Sequence, residues 1–160
     1  REVSALTGLS ARQLQWWDAR RLFAPALAPR RTEAGGFTER RYTPVDVIEL
    51  QVLADLRRRG FSIPRLRRLL ATLRDIFNVR LYEAIGEGGP MTLYISGSQV
   101  YARLADGRLF NLDRPTEPLL MLGEDLPLRP LAARPRRPRR PGRTAIRRSR
   151  SRRPAPGATG

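Results

Sequence analysis

The sequence lacks three residue types, because it has no cysteine, no histidine and no lysine. Without cysteine the chain can form neither disulfides nor thiolate metal sites. Without histidine it lacks the commonest general base and the commonest metal ligand, so any catalysis would rest on Asp, Glu, Ser, Tyr or Arg. We therefore expect a protein that is not an enzyme, with no active site, no metal and no cofactor.

Long apolar runs are absent as well. No stretch of the sequence approaches the length of a membrane span, and the first residues do not form the apolar segment of a signal peptide. We expect a soluble, cytoplasmic protein without a membrane partner.

Positive charge is abundant but unevenly distributed. All 31 basic residues are arginines, and the net charge is +16. Residues 126–160 hold twelve arginines and no acid, whereas residues 1–125 hold nineteen arginines and fifteen acids. Arginines that contact phosphates release counterions, so this balance favours a nucleic-acid partner. A GC-rich genome would also produce the all-arginine composition.

Two short helices separated by a glycine turn are predicted at the start of the chain. The first covers Glu2 to Thr7, Gly8 permits the turn, and Ser10 caps a second helix over residues 11–20. This order predicts a helix–turn–helix whose second helix presents a polar, basic face to DNA. The residues of that helix and its cap that we predict to contact DNA are Ser10, Arg12, Gln13, Gln15, Trp16 and Arg20.

An arginine-rich hairpin, which we call the wing, is predicted between Pro25 and Tyr42, with Gly35 and Gly36 at its tip. Its arginines would bind phosphates and fix the position of the protein along the duplex. They would not contact the base edges that carry the sequence. The wing residues that we predict to contact DNA are Arg30, Arg31, Arg40, Arg41 and Tyr42.

Two further helices are predicted after the wing. Thr43 caps the third, with Pro44 in its first turn and Gly60 just past its end, and Ser62 caps the fourth. From helical periodicity we expect inward side chains at positions that recur every three or four residues. These positions are Val3, Leu6, Leu14, Trp17, Val45, Ile48, Val52, Leu56, Ile63, Leu66, Leu69, Leu70 and Leu73.

Beyond Asn78 the pattern changes from helical to extended. A short helix over residues 79–85 is followed by three predicted strands and a fourth at 119–122. The three strands are Thr92–Ser96, Gln99–Leu104 and Arg108–Leu112. The predicted fold class is α+β, with a mainly α winged helix–turn–helix domain at 1–77, a small antiparallel β meander at 78–128 and a disordered Arg/Pro-rich tail at 129–160.

The order of residues in the second helix resembles the MerR family of helix–turn–helix transcription regulators. That family typically has Ser-x-Arg-Thr-Leu-Arg-Tyr-Tyr-Glu followed by Gly-Leu-Leu, where this chain has Ser10-Ala11-Arg12-Gln13-Leu14-Gln15-Trp16-Trp17-Asp18 followed by Arg21-Leu22-Phe23. The wing and the segments Asp46-Val47 and Arg59-Gly60-Phe61-Ser62-Ile63 resemble the family as well. The resemblance covers about residues 1–75.

The resemblance implies a homodimer that binds an inverted repeat in bacterial promoter DNA, at the nucleoid, and that twists an over-long promoter spacer, with RNA polymerase as a possible partner. Four features differ from the family pattern, and the first is about two extra residues in the wing between Phe37 and Arg40. Gln15 replaces an arginine, Trp16 and Trp17 replace tyrosines, and no sustained heptad pattern follows Leu73 to form the usual pairing helix. For residues 79–128 three roles stay open, namely binding of an effector, binding of a partner protein, and dimerisation.

Several other functions are compatible with the sequence. The same winged fold could belong to a DNA-architectural or recombination accessory protein, and the arginine tail could make the chain a non-specific RNA- or DNA-binding protein. A hydrolase would have to use Asp and Glu alone, and the adjacent Glu124 and Asp125 lack the separation that acid–base catalysis requires. The tail itself could be a DNA-binding arm, a solubilising segment or GC-rich DNA read in a wrong frame.

Overall fold

The computed structural model describes residues 2–32, 38–119 and 126–133. Within these residues four α-helices precede a small antiparallel sheet, which confirms the α+β class. In chain order the elements are α1 Glu2–Thr7, α2 Ala11–Ala19, β1 Arg30–Arg31, β2 Thr38–Glu39, α3 Pro44–Arg58, α4 Ile63–Asp75, a 3-10 helix Leu81–Ala84, β3 Met91–Ser96, β4 Gln99–Leu104, β5 Leu109–Asn111 and β6 Arg129–Pro130.

The three long helices begin at the predicted caps. The Ser10 hydroxyl accepts a hydrogen bond from the N–H of Gln13, and the Gln13 side chain accepts one from the N–H of Ser10. Thr43 and Asp46 form the same reciprocal pair at the start of α3, and Ser62 caps α4. Each pair satisfies two backbone donors that a helix leaves free at its N-terminus, so the helix boundaries follow from local chemistry.

Helices α2 and α3 both end with a residue in the left-handed conformation. At α3 this residue is Gly60, with φ of 93°, and at α2 it is Arg21, with φ of 53°. The N–H of Leu22 donates to the carbonyl of Trp17 at 2.9 Å, which closes the end of α2. A left-handed residue other than glycine costs about 1–2 kcal/mol, so Arg21 is held there at the expense of stability.

The sheet has the strand order β5–β4–β3–β6, with every neighbouring pair antiparallel. Leu93 in β3 lies opposite Ala102 in β4, and Ala102 lies opposite Phe110 in β5. Buried and half-buried residues alternate along β3, so one face of this strand packs inward while the other faces outward. The three strands predicted between residues 92 and 112 are therefore confirmed, with small shifts at their ends.

One hydrophobic core joins the helices to the sheet. Leu53 of α3, Leu66 of α4 and Leu93 of β3 are fully buried and belong to the same cluster. The ring of Phe77 packs edge-on against Phe110, with 5.4 Å between the ring centroids. A small sheet is not stable alone in water, and this shared core supplies the apolar surface that it needs.

The predicted inward face of the helices is wrong at two positions. Leu6 and Ile48 are each 37 % exposed, and Val45 is only half-buried. Helix α3 instead buries all but one of the residues from Glu49 to Leu56. The sequence predicted that α3 buries one face, at four positions. The helix is instead packed on several sides, so its buried residues do not follow one helical face.

The predicted start of the disordered tail is also wrong. Arg129 and Pro130 form β6, and the N–H of Leu131 donates to the carbonyl of Leu93 at 2.8 Å. Leu131 is 4 % exposed and belongs to the core. Composition alone could not reveal this pairing, because its partner strand lies more than thirty residues earlier in the chain.

Some predictions fall on residues that the structure does not describe. The wing tip at Gly35 and Gly36 and the tail from residue 134 onward lie outside the described residues. Of the fourth strand predicted at 119–122, only Leu119 is described. It belongs to no strand, although its N–H donates to the carbonyl of Leu109 at 2.7 Å.

The buried Leu131 gives a direct test of where the fold ends. Leu131→Ala should lower the free energy of unfolding by about 2–5 kcal/mol, because it leaves a cavity in the core. Arg129→Ala, at an exposed position of β6, should change it by less than about 0.5 kcal/mol. Urea denaturation of the full chain measures both values, and equal small effects would show that residues 129–133 do not belong to the fold.

Candidate DNA interface

Helix α2 has one exposed face and one buried face. Leu14 and Trp17 are 7 % and 3 % exposed and pack in the core, as predicted. Trp16 is 43 % exposed. The exposed side chains are those that the sequence predicted to contact DNA, namely Arg12, Gln13, Gln15, Trp16 and Arg20. The structure therefore brings these side chains onto one accessible surface, and their contact with DNA stays a prediction.

Two of these side chains stack on one another. The guanidinium carbon of Arg20 lies 4.9 Å from the centroid of the Trp16 ring. A cation above an indole face is attracted to it by about 0.5–1 kcal/mol at an exposed site. The contact holds the Arg20 guanidinium over the exposed indole of Trp16.

Ser10 and Gln13 are both engaged in the cap of α2. The Oε1 atom of Gln13 accepts from the N–H of Ser10 at 2.8 Å, and Ser10 Oγ accepts from the N–H of Gln13 at 3.1 Å. Adenine is read by a carboxamide that accepts and donates at once. In this cap the amide N–H groups of Gln13 remain available as donors, whereas its oxygen already has one partner.

The wing is a two-stranded hairpin in which Arg30 lies opposite Glu39 and Arg31 lies opposite Thr38. Arg30, Arg31 and Arg41 are exposed, and their side chains have no ion-pair partner among the described residues. Unpaired guanidinium groups on a hairpin are suited to phosphate oxygens, because they carry several donors in one plane.

An ion pair connects the wing to α2. Arg40 Nη2 lies 3.1 Å from Asp18 Oδ2, and each side chain is 34 % exposed. No local pattern in the sequence indicated this pair, because the two residues are 22 positions apart. This pair fixes the base of the wing against the last turn of α2.

Tyr42 lies at the foot of the wing, half-buried against the core. Burial raises the pKa of its phenol, and this desolvation outweighs the opposing effect of Arg40. The phenol therefore stays protonated at ordinary pH, and its hydroxyl can donate a hydrogen bond to a phosphate.

A groove of about 460 Å³ runs beside α2, between Trp16 and the C-terminal end of α3. Arg57 and Arg58 line it, and neither is among the residues that the sequence predicted to contact DNA. Arg57 Nη1 donates to the carbonyl of Phe61 at 2.5 Å, which holds the turn before α4. The sequence shows a run of three arginines at residues 57–59, but only the fold shows that this run lies beside α2.

The described residues contain no group of three or more His, Cys, Asp or Glu side chains that could hold a metal ion. Among the helices described here, none has the length and the apolar character needed to cross a membrane.

The glycine turn between α1 and α2, the exposed α2 face and the hairpin that follows define a winged helix–turn–helix domain. Residues 1–73 match the family model described as MerR HTH family regulatory protein. This N-terminal part, somewhat less than half of the chain, is thus similar to the helix–turn–helix domain of MerR-type regulators. No curated protein and no solved structure matches the chain.

A substitution at Gln13 separates its role in the helix cap from a role at DNA. Gln13→Glu should leave the melting temperature nearly unchanged, because a glutamate at this position of a capping box also accepts the Ser10 N–H. It should nevertheless weaken DNA binding about tenfold, because it places a negative charge on the surface that we predict to face the duplex. Fluorescence anisotropy with a promoter duplex measures the binding. Unchanged affinity would remove Gln13 from the interface.

Proposed function

We propose that the protein is a sequence-specific transcription regulator that binds promoter DNA as a dimer through α2 and the wing. The observation that carries this proposal is the exposed face of α2, which a MerR-type domain presents beside an arginine-rich hairpin. Bacterial promoter DNA lies in the cytoplasmic nucleoid, so this function implies that location.

Arg12 is the side chain best suited to read bases. It lies in the first turn of α2, is exposed, and has no ion-pair or hydrogen-bond partner for its side chain among the described residues. Recognition helices contact base edges mainly through their N-terminal residues. A free guanidinium there can donate two parallel hydrogen bonds to guanine, which discriminates by about 1–3 kcal/mol. Gln15, one residue past Leu14, offers a carboxamide that is not engaged in the cap.

The wing strengthens DNA binding and fixes the position of the protein along the duplex. Arg30, Arg31 and Arg41 contact phosphates, and Tyr42 donates its hydroxyl to one. Arg40 is held by Asp18 at 3.1 Å in the free protein, so its position relative to α2 is set before DNA binds. A contact that is already ordered loses less conformational entropy on binding.

Dimerisation on an inverted repeat would follow the two-fold symmetry of such operators. Helix α4 ends at Asp75, and the sheet between residues 91 and 130 stands where the family usually has its long pairing helix. We propose that this sheet side of the molecule provides the contacts between subunits or with a partner such as RNA polymerase.

Two arginine substitutions test whether α2 contacts bases while the wing contacts phosphates. Arg12→Ala should weaken binding of the operator and relax the preference at one base position, because it removes a base contact. Arg31→Ala should weaken binding to all sequences alike and reduce the salt slope by about one, because it removes a phosphate contact. Affinity measured at several salt concentrations, on the operator and on single-base variants, gives both quantities.

Arg74→Ala, at an exposed position in the last turn of α4, is the matched control and should leave both the affinity and the salt slope unchanged. Equal and sequence-blind losses from Arg12→Ala and Arg31→Ala would mean that α2 does not read bases. If a chain that ends at Ala133 loses all specific binding, the arginine tail and not the winged domain provides recognition.

A further inference from the structure

A second groove, of about 490 Å³, lies between the end of α2 and the outer side of α4. We call it the arginine groove, because Arg21, Arg67, Arg68 and Arg74 line it. The other lining side chains are apolar and include Pro64, Leu70 and Ala71. Half of the lining residues are thus cationic and half are apolar.

The charge of the arginine groove is largely uncompensated. Arg67 and Arg68 are exposed, and their side chains form no ion pair or hydrogen bond with any other residue of the described ranges. Arg74 is paired only with its sequence neighbour Asp75, at 2.8 Å. Exposed cations that lack a partner in the free protein are available to an acidic ligand at little desolvation cost.

Helical geometry places these cations in a row. Arg67 and Arg74 are seven residues apart on α4, so they lie on the same side of the helix, about 10 Å apart. Leu70 and Ala71 lie between them along the helix. The row therefore alternates charge with apolar surface within one groove.

Arg21 contributes a further cation, at a position where the backbone conformation disfavours any side chain. Its φ of 53° is in the left-handed region, in which glycine has no steric penalty. Arg20, its neighbour, stacks on Trp16 on the exposed face of α2, whereas Arg21 lines the arginine groove. A strained backbone position that carries a charged side chain indicates that this charge takes part in binding.

We propose that the arginine groove docks an acidic, leucine-containing segment of a partner protein. Acidic side chains would pair with the four arginines, and apolar side chains would cover Pro64, Leu70 and Ala71. A DNA backbone would satisfy the arginines but would leave this apolar surface without a partner, which is why a protein segment fits the groove better.

The groove does not use the residues that we assign to base reading. Arg12 lies in the first turn of α2, and Arg21 lies beyond the last residue of that nine-residue helix, about 13 Å further along its axis. A partner can therefore occupy the arginine groove without displacing the contacts of Arg12. This inference does not depend on the proposed function.

The test uses the full chain and a fluorescein-labelled peptide of repeated Glu-Glu-Leu-Leu, followed by fluorescence anisotropy at physiological salt. The protein should bind this peptide, and the double variant R67A/R68A should bind it roughly tenfold more weakly, because two cationic contacts are lost. The matched control R103A/R108A, which removes two exposed arginines from the sheet, should bind as the unaltered chain does.

Two further comparisons show how the groove binds. A peptide of repeated Glu-Glu-Ser-Ser should bind clearly less well than the leucine peptide, because it cannot cover the apolar surface. Arg21→Gly should keep or raise the melting temperature, because it relieves the left-handed backbone, while it weakens peptide binding severalfold.

Four results would overturn the proposal. The unaltered chain could fail to bind the leucine peptide, or bind the serine peptide equally well. The control R103A/R108A could weaken peptide binding as much as R67A/R68A does. Finally, R67A/R68A could weaken binding of a promoter duplex as much as binding of the peptide, in which case the groove belongs to the DNA interface.

Discussion

Helix α3 connects the parts of the fold through three buried polar side chains. Asp46 accepts a hydrogen bond from the N–H of Ala26, at the start of the wing, at 3.2 Å. Glu49 accepts one from a backbone N–H of the 3-10 helix, also at 3.2 Å, and Gln51 donates to the last turn of α1 at 3.4 Å. Leaving one such group unpaired would cost about 1–3 kcal/mol, so the wing, the sheet side and the helix–turn–helix are each tied to one central helix.

This arrangement explains which parts of the fold the sequence could predict. Helix caps, the glycine at the end of α3 and the strands between residues 92 and 112 depend on neighbours along the chain, and they were found where the sequence predicted them. The burial of Asp46 and Glu49 was not predicted, because polar residues on a helix ordinarily face solvent and their partners are distant in sequence. The same reason hid β6, whose arginine and proline resemble the tail that follows.

The candidate site was predictable to a similar depth. The sequence identified the face of α2 and the wing arginines, since both follow from helical periodicity and composition. It did not reveal that Gln13 closes the helix cap, that Asp18 holds Arg40, or that Arg57 borders α2. Each of these facts is a contact between side chains, and contacts of that kind decide which groups remain free for a ligand.

In the function that we propose, recognition of DNA sequence belongs to the winged domain and not to the arginine-rich tail. Selection from a pool of random duplexes, with a chain that ends at Ala133, tests it most directly, because this chain keeps Leu131 and β6 but lacks the tail. We predict enrichment of one inverted-repeat sequence, with half-sites spaced by about one helical turn or a multiple of it. Enrichment of no sequence by this chain, while the full chain still binds DNA of any sequence, would contradict the account.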